Sequence, residues 1–323
     1  MNLTMTLLAA TLCGAAADPL PSWNDGQAKK SILDFVTRVT HKDGKGYVKP
    51  SERIAVFDND GTLWPENPVP FQLAYALDRV KQLAPKHPEW KGKQPFQAVL
   101  DNDLPALVKS GKKGLLELIV ATHTGMTTDE FDAGVREWLK TAKHPRWKRP
   151  YTELTYQPMQ EVLNYLRANG FKTFIVSGGG AEFMRVFSED VYGITPEQVV
   201  GILIKTKFEF EGGKPVLVRL PEIGFIDDKE GKPVGIHQMI GRRPIACFGN
   251  SDGDVAMLQW TTSRMGPSFG LIVHHTDAER EYAYDRKPKS SGKLDLGFAE
   301  AKKNGWTMVD MKKDWKRVFA FEK

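Results

Sequence analysis

The sequence predicts an α/β fold organised on a doubly wound parallel sheet, and three observations carry that expectation. Short, largely apolar runs at 53–57, 172–176 and 244–248 each end in a polar, glycine-bearing turn. Segments with apolar residues at helical spacing alternate with these runs. The polar turns fall at the carboxyl ends of the strands, which is where open α/β sheets bind ligands.

The first seventeen residues carry no charge and read MNLTMTLLAATLCGAAA. An apolar stretch ending in Ala15, Ala16 and Ala17, just before Asp18, predicts a secretory signal peptide over 1–17. It is too short to persist as a membrane span, so the expected location is periplasmic or secreted, with no stable membrane insertion after cleavage. Cys247 would then be the one cysteine left, and no disulfide could form within the mature chain. Within 18–47, Ile32, Leu33, Phe35, Val36 and Val39 share a helical face. The strand 53–57 follows and delivers Asp58 to its end. From Pro68 to Pro150 the pattern is helical, with Leu73, Leu77, Val80 and Leu83 on one face and Phe131, Val135 and Leu139 on another. Thr128-Asp129-Glu130 has the composition of a helix start. Beyond Pro150 come a helix at 159–166, the strand 172–176, and a hairpin of 202–210 with 216–220 around Gly212-Gly213. Strands at 244–248 and 270–273 complete the series.

A chain of 323 residues can hold a large core with a smaller insertion. Its net charge of +5 is spread along the sequence with no basic block, which argues against nucleic acid as a partner and is compatible with small anions.

Four segments carry the chemistry. In FDNDGTLW, residues 57–64, a strand delivers Asp58 and Asp60 two positions apart, so both carboxylates can face one crevice. One can attack while the other handles protons, and a divalent cation would offset their repulsion. Ser177 with Gly178 and Gly179 offers a hydroxyl and backbone N–H groups suited to phosphate, although serine is equally the ordinary helix N-cap. Lys232 can neutralise a transferring phosphoryl group. The run 249–258, GNSDGDVAML, places oxygen-bearing side chains after a strand, the hard ligands that Mg²⁺ prefers, without the spacing of an EF-hand.

In this order the four segments resemble the haloacid dehalogenase-like superfamily over about residues 50–275, with the texture of its phosphoserine phosphatase-like members. The resemblance implies a Rossmann-like core formed by 18–66 and 151–323, with a helical cap inserted at 67–150. It implies a Mg²⁺-dependent phosphatase acting on small-molecule phosphate esters. A phosphotransferase of the same superfamily and a non-catalytic phospholigand-binding protein are the alternatives. In the implied scheme Asp58 attacks phosphorus and Asp60 handles the leaving-group and water protons. Ser177, the Gly178 N–H and Lys232 hold phosphoryl oxygens, and Asp58, Asp60, Asn250 and Asp254 bind Mg²⁺.

The pattern is departed from at Asn250, where the family has a metal-binding Asp; Asp252 is the other residue that could fill that place, and Lys229 the substitute for Lys232. Asn67 stands nine residues after Asp58, where phosphoserine phosphatases carry a Glu, so phosphoserine is not the expected substrate. Trp64, Glu66 and Asn67 either line the entrance or pack the linker to the cap. His274 and His275, adjacent on a strand, point to opposite faces and are expected in a loop or core role. The tail, with Trp306, Met308, Trp315 and Phe319, is expected to pack on the core.

Overall fold

The computed structural model describes residues 17–322, so the predicted signal peptide lies outside the described residues apart from Ala17. Among the described residues seven strands form one sheet: β1 (Ile54–Phe57), β2 (Lys172–Gly180), β3 (Val199–Glu211), β4 (Lys214–Phe225), β5 (Ala246–Gly249), β6 (Phe269–His274) and β7 (Thr307–Asp310). Their order is β4-β3-β2-β1-β5-β6-β7. Every pair is parallel except β3 with β4. The parallel strands therefore run outward in both directions from β1. This is the predicted doubly wound arrangement, and its reversal opens a crevice at the carboxyl ends of β1 and β5.

The central strands are apolar on both faces because both faces are covered. Ala55, Phe57, Ala246 and Phe248 join one core cluster with the helices Gln27–Thr40 and Gln157–Ala168. Ile54, Val56 and Cys247 join the other, with Met257 and Leu258 of the helix Val255–Thr262. Phe57 and Phe248, paired across β1 and β5, stack with ring centroids 4.3 Å apart. That stack seals the sheet directly beneath the turns that carry the polar motifs. Trp23 meets Trp315 edge to face at 5.9 Å, so the segment before β1 and the tail close one side of the same core.

Five helices lie in the segment 67–150 between β1 and β2: Phe71–Leu83, Phe96–Leu100, Leu104–Lys109, Gly111–His123 and Thr128–Thr141. Phe71, Tyr75, Ala76 and Val80 are the buried residues of the first, and Val80 is the member of the predicted stripe among them. Leu77 and Leu83 instead pack beside a separate cluster within the segment. The last helix starts at Thr128, where its sequence suggests. Thr127 is the N-cap, accepting the Glu130 N–H at 3.1 Å while Glu130 returns a bond to the Thr127 N–H. Backbone bonds from Gly125 to Arg219 and from Arg219 to Met126 tie this segment to the outer edge of β4. A cavity of about 340 Å³ lies inside the segment, lined in part by Leu77, Val99, Leu107 and Tyr151, apart from the crevice at β1 and β5.

Both strands of the hairpin and β2 exceed their predicted lengths. The hairpin is paired from Leu203 with Phe225 to Glu211 with Lys214. β2 continues through Ser177 to Gly180, with an irregularity before Gly180 pairs with Ile202. Close backbone approach explains the glycines here, since a Cβ on Gly201 would meet the Gly179 carbonyl at 2.7 Å. Ser177 is thus a strand residue and not a helix N-cap. Among the described residues no helix is long and apolar enough to cross a membrane.

Candidate active site

The Asp58 N–H donates to the Phe248 carbonyl at 2.9 Å, so β1 stays paired to β5 until the residue that matters. The chain then turns: Thr62 and Leu63 donate to the Asn59 carbonyl and Gly61 to that of Trp64. Gly61 sits at φ +80°, and a Cβ there would run into Asn250 Nδ2 and Glu66 Oε1. Glycine is needed on both grounds.

Lys232 is brought to Asp58 from 174 residues away. Its Nζ lies 2.7 Å from Asp58 Oδ1 and 2.6 Å from Asp254 Oδ1, with all three side chains buried. The other oxygen of Asp254 accepts the N–H groups of Asn250 and Ser251, at 2.9 and 3.0 Å. Asp254 thereby shapes the turn after β5 and bridges it to the lysine. A Cβ on Gly249 would collide with Asp254, which explains the glycine that ends β5.

Asp60 is less buried than Asp58, and its Oδ1 accepts the Trp64 indole N–H at 2.6 Å. Ser177 Oγ accepts the Gly179 N–H at 3.2 Å, which leaves the hydroxyl proton free to be donated elsewhere. A Cβ on Gly179 would lie 3.5 Å from Ser177 Oγ, 3.7 Å from Asp60 Oδ2 and 3.5 Å from Gln72 Oε1. Ser177, Asp60 and Gln72 therefore surround one small space over that glycine, and Gly178 beside it is exposed.

The predicted residues Asp58, Ser177, Lys232, Asn250 and Asp254 thus converge from the ends of β1, β2 and β5 and from the helix Gly231–Gly235, and Asp60 joins them. Asp252 is spent elsewhere, its Oδ1 accepting N–H groups of Asp295 and Gly297. Lys229 is exposed. Trp64 is fully buried against Phe71 and Phe187, so it packs the linker as well as holding Asp60. The Asn67 carbonyl faces the His144 ring at 2.9 Å. His275 is a core residue, within 2.8 Å of the Gly61 carbonyl and 3.0 Å of Glu281. Sequence reasoning missed Gln72, which also accepts the Gly180 N–H at 2.7 Å, and Asp227, which is fully buried. Nothing marks Gln72 among the polar residues of a helix. The acidic pair Asp227-Asp228, five and four positions before Lys232, was the signal available for the other.

Negative charge is concentrated here. Burial, with a contribution from Asp254, pushes the Asp58 carboxyl well above the usual range, and Lys232 opposes the rise. Burial pushes Asp60 up to about 6, opposed by the Trp64 N–H and Lys232. It pushes Glu66 up to about 8 and Asp227 up to about 7. For Lys232, burial favours the neutral form, but Asp254 and Asp58 outweigh it and hold the ammonium charged. One lysine between two buried carboxylates leaves an excess that a bound cation would relieve. Among the described residues no three His, Cys, Asp or Glu side chains form a metal cage. Two carboxylates with neutral oxygens and water are nevertheless what Mg²⁺ uses, and Asp58, Asp254 and the Asn250 amide oxygen fit that set.

The sequence matches the family described as haloacid dehalogenase-like hydrolase over residues 55–259. Among solved structures, the chain is similar to a conserved functionally unknown protein from Anaerococcus prevotii DSM 20548, at 17% identity and TM-score 0.58, covering 90% of this chain and 94% of that one. It is also similar to a protein with unknown function from Bordetella pertussis Tohama I, at 17% identity and TM-score 0.50, covering 80% and 99%. At these identities the likeness is one of fold. A search of the curated proteins found no match.

Proposed function

This chain belongs to the haloacid dehalogenase-like hydrolases, and we propose that it is a Mg²⁺-dependent phosphomonoesterase of the phosphoserine phosphatase-like branch, acting on small organic phosphate esters. The observation that carries the reading is the buried Asp58–Lys232–Asp254 cluster, with Asp60 and Ser177 beside it at the crevice of the sheet.

In this mechanism Asp58 Oδ attacks phosphorus in line, the ester oxygen departs, and an aspartyl-phosphate forms on Asp58. Asp60, whose carboxyl burial pushes up to about 6, gives its proton to the departing oxygen. It then takes a proton from the water that releases phosphate. The Ser177 hydroxyl, the Gly178 N–H and the Lys232 ammonium donate to the phosphoryl oxygens. A divalent cation held by Asp58, Asp254, the Asn250 amide oxygen and the Asp60 carbonyl would supply Lewis-acid stabilisation of charge on the phosphoryl group. The helical segment 67–150 serves as a cap that excludes water, and Gln72 brings a neutral amide from it to the space shared with Asp60. Asp60 also argues against a dehalogenase, which needs no acid two residues after its nucleophile. Export through the signal peptide at 1–17 is part of the proposal and suits a scavenger of phosphate esters.

The mature chain from Asp18 is expected to release phosphate from p-nitrophenyl phosphate with Mg²⁺ and to lose that activity in EDTA. Phosphate release indifferent to EDTA removes the metal from the proposal. No release, combined with no binding of beryllium fluoride, removes the phosphatase reading.

The electrostatics predict a pH-dependent response to metal. Asp58 and Glu66 have folded values raised above their unfolded ones, so the stability tied to their protonated forms is complete below pH 4. It is lost as pH rises toward about 8. Between pH 6.5 and 8 the protein in EDTA should lose thermal stability, because the loss from these carboxyls outweighs the smaller gain as His123 and His144, held neutral by burial in the fold, finish titrating in the unfolded chain. Added Mg²⁺ should raise the melting temperature more at pH 8 than at pH 6.5. Differential scanning calorimetry at the two pH values checks this, and an equal Mg²⁺ shift at both would contradict it.

A further inference from the structure

Asn250 stands where a metal-binding carboxylate is usual, yet a carboxylate is present beside it. The Asn250 Nδ2 donates to Glu66 Oε1 at 2.6 Å, and the Tyr284 hydroxyl donates to the same oxygen at 2.8 Å. Glu66 is 4% exposed and Asn250 1%. With the amide nitrogen committed to Glu66, the amide oxygen of Asn250 is turned toward the nucleophile turn, 3.4 Å from Thr62 Oγ1. Two glycines at positive φ, Gly61 and Gly292, make room for this carboxylate, and a Cβ on either would overlap Glu66 Oε1. Tyr284 lies on the His275 ring at 4.3 Å, and His275 in turn contacts the Gly61 carbonyl. Residues 275–292, outside every motif, therefore hold Glu66 in place.

We propose that Glu66 is a positioning residue of the cation site: it fixes the Asn250 amide with its oxygen toward the cation, and in the ionised form that a bound cation favours it supplies the carboxylate charge that Asn250 lacks. The inference rests on the Mg²⁺ reading above. An Asp at 250 would set two carboxylates within hydrogen-bond distance of each other, where like charges repel. Glu66 with Asn250 is thus a transposed form of the usual pair, in which the charge has moved from the turn after β5 to the linker after β1.

Mn²⁺ serves as the probe, with its dissociation constant read by electron paramagnetic resonance on the full mature chain, and with folding of each variant checked by circular dichroism in EDTA. Glu66→Gln should weaken Mn²⁺ binding about tenfold or more, as loss of a group supporting a metal ligand commonly does. Asn250→Asp alone should not tighten it. The double variant Glu66→Gln/Asn250→Asp, which restores a single carboxylate at the usual position, should recover most of the parent affinity. Unchanged binding in Glu66→Gln, or a double variant no better than Glu66→Gln, overturns the inference. Asp254→Asn is the control for the underlying reading. If it leaves Mn²⁺ affinity intact, the cation site itself is misplaced and the inference falls with it, whereas a loss there beside an unchanged Glu66→Gln rejects the inference alone.

Discussion

Asp58→Asn should lower phosphate release by roughly 10⁴-fold or more, the scale on which loss of a nucleophile acts, while leaving the fold intact. Asparagine fills the same volume at the end of β1, and the backbone bond from residue 58 to Phe248 is independent of the side chain. The amide still offers an oxygen to Lys232, so the packing under the site is retained. What disappears is the anionic oxygen that would take the phosphoryl group, together with one of the two carboxylates that Lys232 holds. Because burial raises the Asp58 carboxyl, the metal-free variant should melt no lower than the parent at pH 8. Steady-state turnover and calorimetry check both halves. A variant within tenfold of the parent activity would remove Asp58 from the nucleophile's role.

Lys232→Met should be the most damaging single change to stability. Methionine approximates the length and apolar stem of lysine, but it leaves Asp58 and Asp254 facing each other without a counter-charge. Breaking a buried ion pair by removing one partner commonly costs about 3–5 kcal/mol, and here two partners are orphaned at once. The variant should unfold at markedly lower urea concentration in EDTA at pH 8. The loss should shrink at pH 5, where the carboxyls can protonate, and with Mg²⁺, which would neutralise the same carboxylates. Turnover should fall as well, because the ammonium that would meet the phosphoryl oxygens is gone. A urea midpoint unchanged from the parent would mean that the Asp58–Lys232–Asp254 cluster does not bear on the fold.

The doubly wound sheet was legible because β1, β2 and β5 are apolar runs closed by polar turns. That pattern reports burial on both faces, and it does so locally. Asp58 and Asp60 were legible from their type and spacing after β1, although the turn over 59–64, and not a strand period, is what places Asp60. Element ends were less so. The run through Ser177 reads as a strand stopping before three glycines, but β3 approaches closely enough at Gly201 to keep β2 extended through Gly180. The stripe expected on the helix Phe71–Leu83 is only part of its buried surface: Leu77, Val80 and Leu83 meet one cluster while Phe71 and Tyr75 join another, because the helix is wedged between two clusters and not laid on one.

Residue types and their order along the chain by themselves pointed to the strand ends and the side chains that the fold gathers at one crevice. Tertiary structure decided what each of those side chains faces. Lys232 is one lysine among many until the fold sets it between Asp58 and Asp254. The Asp252 carboxylate is taken by the start of the helix Leu296–Asn304 for its own N–H groups, whereas the Asn250 amide oxygen faces Thr62 of the turn after β1. Gln72 and Tyr284 carry no local signal, and the position of Glu66 after the nucleophile turn does not disclose its partners, because those partners lie between 108 and 218 residues away. Periodicity and turn chemistry record what a residue does within its own strand or helix. Charge compensation in a buried crevice depends on distances across the chain, and only the packed core sets those.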